Sequence, residues 1–226
     1  MTQPVKLIEV KEGILEDDGK VAASLRADLQ TRETFLLNLM ASPGAGKTSL
    51  VLHTIKTLRN KLEICVVEAD IDSTVDAEAV ANEGISAVQL RTGGFCHVDA
   101  AMMREGIAAF GDKKCDMIIL ENVGNLVCPA EFDTGAHKNV MILSIPEGDD
   151  KPLKYPLMFS ICDAVLINKM DYIGLSDFDM EKLTERIHRL NPNAEIFRIS
   201  CRTGEGIDAW SEWLFREVCN FRNSKL

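Results

Sequence analysis

A glycine-rich octapeptide, Ala41-Ser42-Pro43-Gly44-Ala45-Gly46-Lys47-Thr48, stands between the apolar run FLLNLMA and the helical pattern TSLVLHTIKTL. So short a turn carries the chain from the end of a strand directly into the first turn of a helix. The rest of the chain repeats the theme. EICVVEAD, ISAVQL, DMIILENVG, NVMILSIP, DAVLINK and AEIFRIS read as strands, with helical patterns such as HVDAAMMREGIAAF between most of them. The alternation predicts an α/β fold, a mainly parallel sheet with helices on both faces. Ligands of such sheets bind at the carboxyl ends of the strands, and each motif discussed below falls just after a predicted strand. Residues 17–33 read as an amphipathic helix with Val21, Leu25 and Leu29 four apart and Asp17 and Asp18 as candidate caps. This divides the chain into an N-terminal extension, 1–34, and one domain, 35–226.

The octapeptide fits the pattern GxxxxGK[ST] and makes the expected fold a P-loop NTPase. Gly44 and Gly46 let backbone N–H groups turn onto phosphate oxygens, and the following helix adds its positive end. Gly44, Ala45, Gly46, Lys47, Thr48 and Ser49 are the candidate phosphate-binding set. Lys47 would reach the β- and γ-phosphates and the Thr48 hydroxyl would hold magnesium. The first pattern position is Ala41 rather than glycine, a small change that binding should survive. Asn168-Lys169-Met170-Asp171 follows a later strand. Guanine presents N1–H beside an exocyclic amine, and the Asp171 carboxylate can accept both. Adenine would leave that carboxylate unmatched, a mismatch worth about 10⁴ or more in selectivity. Asn168 would bond N7, Lys169 would pack along the base, and backbone amides at Ser200 and Cys201 would meet O6. The expected ligands are GTP and GDP.

Two further acidic segments complete the expected nucleotide site. The run Ile118-Ile119-Leu120-Glu121-Asn122-Val123-Gly124 ends a strand with an acid and a glycine. Glu121 would organise magnesium and its water, and the Gly124 N–H would sense the γ-phosphate. In Glu68-Ala69-Asp70-Ile71-Asp72, either Asp70 or Asp72 could contact magnesium or orient water, with Asp70 preferred for the metal. Lys47, Asp70 and Glu121 are the candidate catalytic residues. No catalytic glutamine is evident, so intrinsic hydrolysis should be slow.

Cys96 and His97 follow another strand, and Cys128 lies one loop beyond Glu121. Thiolate and imidazole suit zinc and nickel; packing is the alternative for such residues. His97 is expected to open a helix, whose N-terminus would favour thiolate. Three donors from one chain could become six across a twofold axis, and Cys128 lies near enough to Gly124 for nucleotide and metal to be coupled. Glu131 and Asp133 flank Cys128 as solvated loop residues or additional ligands. His53, His137 and His188 read as surface or helix residues, and Lys151 as a charge that could reach a partner's nucleotide.

A net charge of −10 disfavours nucleic acid as a partner. No apolar run is long enough for a bilayer, and MTQPVKLIEVKEG shows no export signal. The 7 cysteines are odd in number and lack a CxxC pair, which does not read as a disulfide framework; Cys65 and Cys162 fit the core. A reducing cytoplasm is the expected setting.

The stretches SPGAGKTSL, VVEADIDSTVDA, TGGFCHVDA, IILENVGNLVCPAEFDTG, SIPEGDDKPLKYP and LINKMD, with the tail from NPNAEIFRISCRTGEGIDAW, resemble the HypB family of GTPases, which help insert nickel into [NiFe]-hydrogenases. The likeness runs from about Phe35 to the C-terminus. It implies a nucleotide-dependent homodimer whose Cys96, His97 and Cys128 bind nickel or zinc at the dimer interface. It also implies a HypA-like metallochaperone and a hydrogenase large-subunit precursor as partners. The related urease GTPases place Cys-Pro-His at the metal loop, where this chain has Phe95-Cys96-His97. A maturation GTPase for another metalloenzyme, or a metal-binding module with a structural nucleotide, are the rival readings.

Overall fold

The computed structural model describes residues 6–9, 18–70 and 75–224. The candidate cap Asp17 and the candidate ligand Asp72 lie outside them. Eight strands among the described residues form one sheet: β1 (Lys6–Glu9), β2 (Phe35–Ala41), β3 (Ile64–Asp70), β4 (Ser86–Arg91), β5 (Met117–Glu121), β6 (Lys138–Ser144), β7 (Ala164–Asn168) and β8 (Glu195–Arg198). Their order is β1-β4-β3-β5-β2-β6-β7-β8, and every pair is parallel. The central strands are mostly apolar because a parallel sheet is covered on both faces; all seven residues of β2 are buried, Asn38 among them.

Alternation along the strands sorts the core into layers. Phe35, Leu37, Leu39, Ile64, Val66, Met117 and Ile119 face α2 (Lys47–Leu58) and α9 (Ile207–Asn223), with Trp210 and Trp213 in the same cluster. Leu36, Cys65, Val67, Ile118 and Leu120 face the opposite way. They pack with α1 (Asp18–Thr31) and α4 (Ala100–Ala108). Farther along that face, Met141, Leu143, Val165 and Ile167 pack against α7 (Pro156–Ile161) and α8 (Met180–Leu190). The predicted amphipathic helix is thus α1, with Ala22, Leu25 and Leu29 in the core. α3 (Val75–Asn82) and the four-residue helices α5 (Cys128–Glu131) and α6 (Lys151–Lys154) complete the set.

Two expectations need correction. Cys65 is buried as predicted, but it forms a disulfide with Cys115 across the β3–β5 pair. Sequence spacing gives no hint of a bridge between positions 50 residues apart. His137 is neither a surface nor a helix residue. Its ring lies 5.4 Å from Phe35 and 4.2 Å from Phe221, centroid to centroid, and Nδ1 accepts the Leu36 N–H at 2.9 Å. Burial, with the Arg26 charge, lowers its pKa to about 4. His53 is a helix residue as expected, on α2, with Nε2 2.7 Å from the Cys201 carbonyl oxygen.

Candidate functional site

The glycine turn between β2 and α2 forms as the sequence predicts. Gly44 and Gly46 have φ of +76° and +104°, a region open to glycine and strained for other residues. A Cβ at Gly46 would run into the Asn168 amide. The departure at Ala41 is absorbed because its methyl lies fully buried in the core beside α2. Lys47 and Thr48 open the helix, and both line a cleft of about 600 Å³ with Pro43, Gly44, Gly46, Ser49, Glu68, Asp70, Glu121 and Gly124.

The acids on the cleft come from adjacent strands. Glu121 ends β5, and Thr48 Oγ1 donates to its Oε1 at 2.8 Å. Asp70 ends β3 rather than following it. Two residues back on the same side lies Glu68, only 3% exposed and level with Glu121 in the β3–β5 register. Sequence reasoning passed over Glu68; the strand's period of two, carried back from Asp70, would have found it. The set Thr48, Asp70 and Glu121 offers oxygen donors alone, which suits a hard divalent cation.

The residues expected to read the base close a second, adjoining cavity of about 350 Å³. Asn168 ties the motifs together. Its Nδ2 donates to the Ala45 carbonyl at 2.8 Å, while Oδ1 accepts the Lys169 and Cys201 N–H groups at 2.7 and 3.2 Å. Lys169 sits at φ +62°, unusual for a side chain of its size, and its Nζ donates to the Gly44 carbonyl at 2.8 Å. Ser200 Oγ donates to Asp171 Oδ1 at 2.6 Å. That bond, helped by Arg202, holds the Asp171 carboxyl below the usual carboxylate range. Burial pushes the Cys201 thiol up to about 11.

A further brace was invisible in sequence. Glu147 Oε2 accepts the Ser144 N–H and hydroxyl at 2.7 Å each, and Oε1 accepts the Ser42 hydroxyl of the phosphate loop. The segment after β6 is thereby fastened to the loop after β2. Lys151 opens α6, with Nζ 5.5 Å from the centre of the Tyr155 ring.

The structure also gathers Cys96, His97 and Cys128. One ligand atom from each lies within 4.8 Å of the others, and the two sulfurs are 2.7 Å apart. The local fold differs from expectation. Asp99 caps α4 by accepting the Met102 N–H at 2.8 Å, so the helix begins after His97. His97 instead lies buried in the connecting loop, stacked on Phe132 at 3.6 Å. Cys128, not Cys96, stands at a helix start. Its thiol is raised rather than lowered, chiefly by the hydrogen bond with Cys96. Binding a metal here must therefore displace protons. Glu131 belongs to α5, whereas Asp133 accepts from Arg26 and from the Gly135 N–H.

A glycine turn wrapped onto a helix start, carboxylates at the strand ends beside it and an Asn-Lys-x-Asp cavity define a P-loop nucleotide-binding protein. Residues 35–198 match the CobW/HypB/UreG nucleotide-binding domain. Hydrogenase maturation factor HypB of Azotobacter vinelandii is 42% identical over 212 residues, covering 94% of this chain and 70% of the relative. Hydrogenase/urease maturation factor HypB of Helicobacter pylori strain J99 is 37% identical, covering 94% and 88%. The crystal structure of HypB from Helicobacter pylori in complex with nickel superposes with a TM-score of 0.86 at 35% identity, covering 93% of this chain and 100% of that one. HypB from Archaeoglobus fulgidus gives 0.83 at 35% identity, covering 89% and 98%. The chain belongs to the CobW/HypB/UreG family, on its HypB branch.

Proposed function

We propose that this chain is a GTP-hydrolysing switch that carries nickel during [NiFe]-hydrogenase maturation. One observation carries the reading: Cys96, His97 and Cys128 converge to within 4.8 Å, and Cys128 lies four residues beyond Gly124, which lines the nucleotide cleft. A soft Cys₂His set suits nickel or zinc, not magnesium. Nickel would be the cargo, received and released as the nucleotide changes.

Lys47 and the backbone of Gly44, Ala45 and Gly46 would hold the phosphates, with Ser49 completing the helix start. Asp171, Asn168, Lys169, Ser200 and Cys201 would select guanine. Thr48, Glu121 and Asp70 would hold magnesium, which would supply positive charge against the phosphates. Among the described residues the cleft is lined by acids but no glutamine, so hydrolysis should be slow until a partner or a second copy completes the site. Three protein donors leave the cargo's shell incomplete, and a twofold-related chain would bring three more. Val127 beside Cys128 is 48% exposed, and Leu153 and Leu157 are 65% and 47% exposed. Such apolar exposure suits burial against a second copy. A HypA-like metallochaperone and a hydrogenase large-subunit precursor are the expected partners, in the cytoplasm. No described helix is long and apolar enough to cross a membrane.

The Helicobacter relatives are named for urease as well as hydrogenase, which favours service to a second nickel enzyme as the alternative output. The proposal is tested by steady-state hydrolysis of GTP and ATP with magnesium, using wild type and Lys47→Ala, alongside nickel titration of wild type and Cys128→Ser. The expected result is GTP-selective hydrolysis lost in the first variant and nickel binding lost in the second. Equal hydrolysis of both nucleotides, or full nickel affinity without the Cys128 sulfur, would count against it.

A further inference from the structure

Three asparagines cross the centre of the sheet on the face opposite the phosphate-loop helix. Asn38 lies mid-β2, Asn139 is its register partner on β6, and Asn122 follows the last residue of β5. Asn38 is 1% exposed and Asn122 is fully buried. Their neighbours along the same strand faces are apolar, with Leu36, Leu120, Met40 and Met141 before and after them. Apolar side chains at all three positions would pack there without needing partners, and stability alone gives no reason for the amides.

The hydrogen bonds form a chain with one possible direction. Val123 N–H, which can only donate, reaches Asn122 Oδ1 at 2.9 Å. Asn122 Nδ2 must then donate, and it does so to Asn38 Oδ1 at 3.0 Å. Asn38 Nδ2 in turn donates to Asn139 Oδ1 at 2.9 Å. The single backbone N–H fixes all three amide orientations. The near end is also clamped through the backbone, where Asn122 N–H donates to the Leu39 carbonyl at 3.0 Å. The far end is anchored by Asp163, which accepts the Asn139 N–H and the Lys138 ammonium at 2.8 Å each.

The chain ends one residue before Gly124. A Cβ on Gly124 would stand 3.1 to 3.3 Å from Pro43 of the phosphate loop, so the two backbones are already in close approach. Asn122, Val123 and Gly124 all line the nucleotide cleft. With the Val123 N–H taken by the Asn122 side chain, the next peptide is the first whose N–H can turn to a ligand.

We propose that the Asn139–Asn38–Asn122 ladder positions the Gly124 N–H for the terminal phosphate of a nucleoside triphosphate. Asn38 and Asn122 are positioning residues that act through the Val123 peptide, Asn122 from the wall of the cleft and Asn38 from behind it. The inference rests on the nucleotide reading above and adds the part that separates triphosphate from diphosphate. A diphosphate lacks the group that Gly124 would meet, and its binding should be indifferent to the ladder.

The test uses the full chain as wild type, Asn38→Leu and Asn139→Ala. Affinities for GDP and for a non-hydrolysable GTP analogue are measured by displacement of a fluorescent guanine nucleotide, with kcat and KM for GTP and the melting temperature recorded in parallel. Asn38→Leu should weaken the triphosphate analogue about tenfold, the scale of one hydrogen bond to a charged group, while GDP stays within about twofold. Its kcat should fall by a similar factor. Asn139→Ala keeps the Asn38–Asn122 bond and should show the same selective loss at about two- to threefold, so it decides the matter if Asn38→Leu does not fold. A change equal for both nucleotides, or no change, overturns the ladder's role. Wild type that binds no guanine nucleotide overturns the parent reading, and the ladder's role with it.

Discussion

Replacing Asp171 with asparagine exchanges one carboxylate oxygen for an amide donor and leaves the shape of the base cavity intact. Ser200 Oγ donates to the carboxylate at 2.6 Å and the Arg202 guanidinium lies 3.5 Å away, and both hold its pKa below the usual range. Asparagine keeps an oxygen for the Ser200 hydroxyl, so the melting temperature should hardly move. Guanine, however, loses one of two hydrogen bonds to a charged acceptor, each worth about 1.5–3 kcal/mol, and the new amide N–H opposes a guanine N–H. The sum of roughly 3–4 kcal/mol corresponds to about 10²–10³ in affinity. Xanthine carries an oxygen at C2, so xanthosine triphosphate should gain where GTP loses. Displacement of a fluorescent guanine nucleotide by GTP and xanthosine triphosphate reads both changes. GTP affinity within about threefold of wild type, with no gain for xanthosine triphosphate, would refute the assignment of Asp171 to the base.

His137 has its pKa lowered to about 4 in the folded chain against 6.5 when unfolded, so the unfolded state binds more protons between these values. Stability should therefore fall as pH drops through that window, by about 2 kcal/mol between pH 7 and pH 5 from this residue; denaturant midpoints of wild type and His137→Gln should differ in their pH slope, and parallel slopes would exclude it as the cause. The Cys65–Cys115 disulfide closes a 50-residue loop. In the chain-entropy view its reduction should lower unfolding free energy by about 4 kcal/mol, and a Cys65→Ala/Cys115→Ala double variant should melt identically with and without dithiothreitol.

The fold was legible because the core strands from β2 onward are predominantly apolar runs, and helical patterns separate most of them. β1 escaped notice because four residues paired on one side, to β4, leave little pattern. The residues proposed to bind nucleotide were legible for a different reason: that chemistry demands fixed spacing over a few residues, as in Gly44 to Thr48 and Asn168 to Asp171. Features made by long-range pairing left no such trace. Cys65 and Cys115, Ser42 and Glu147, and Asn38 with Asn122 are all far apart in sequence. They meet because β5 and β6 flank β2 in the sheet and β3 pairs with β5, an order that no local pattern encodes. His97 was placed on a helix because HVDAAMMREGIAAF is periodic throughout; the Asp99 cap, two residues later, sets the true start.

Nickel affinity of the purified chain, measured with GDP and then with a non-hydrolysable GTP analogue while light scattering follows its mass, tests the central claim most directly. The account predicts that affinity changes at least several-fold with the nucleotide, together with a shift from one copy to two, and that Cys96→Ala, His97→Ala and Cys128→Ala each abolish the change. Nickel binding of equal strength in both nucleotide states, or binding that survives loss of all three residues, would contradict it.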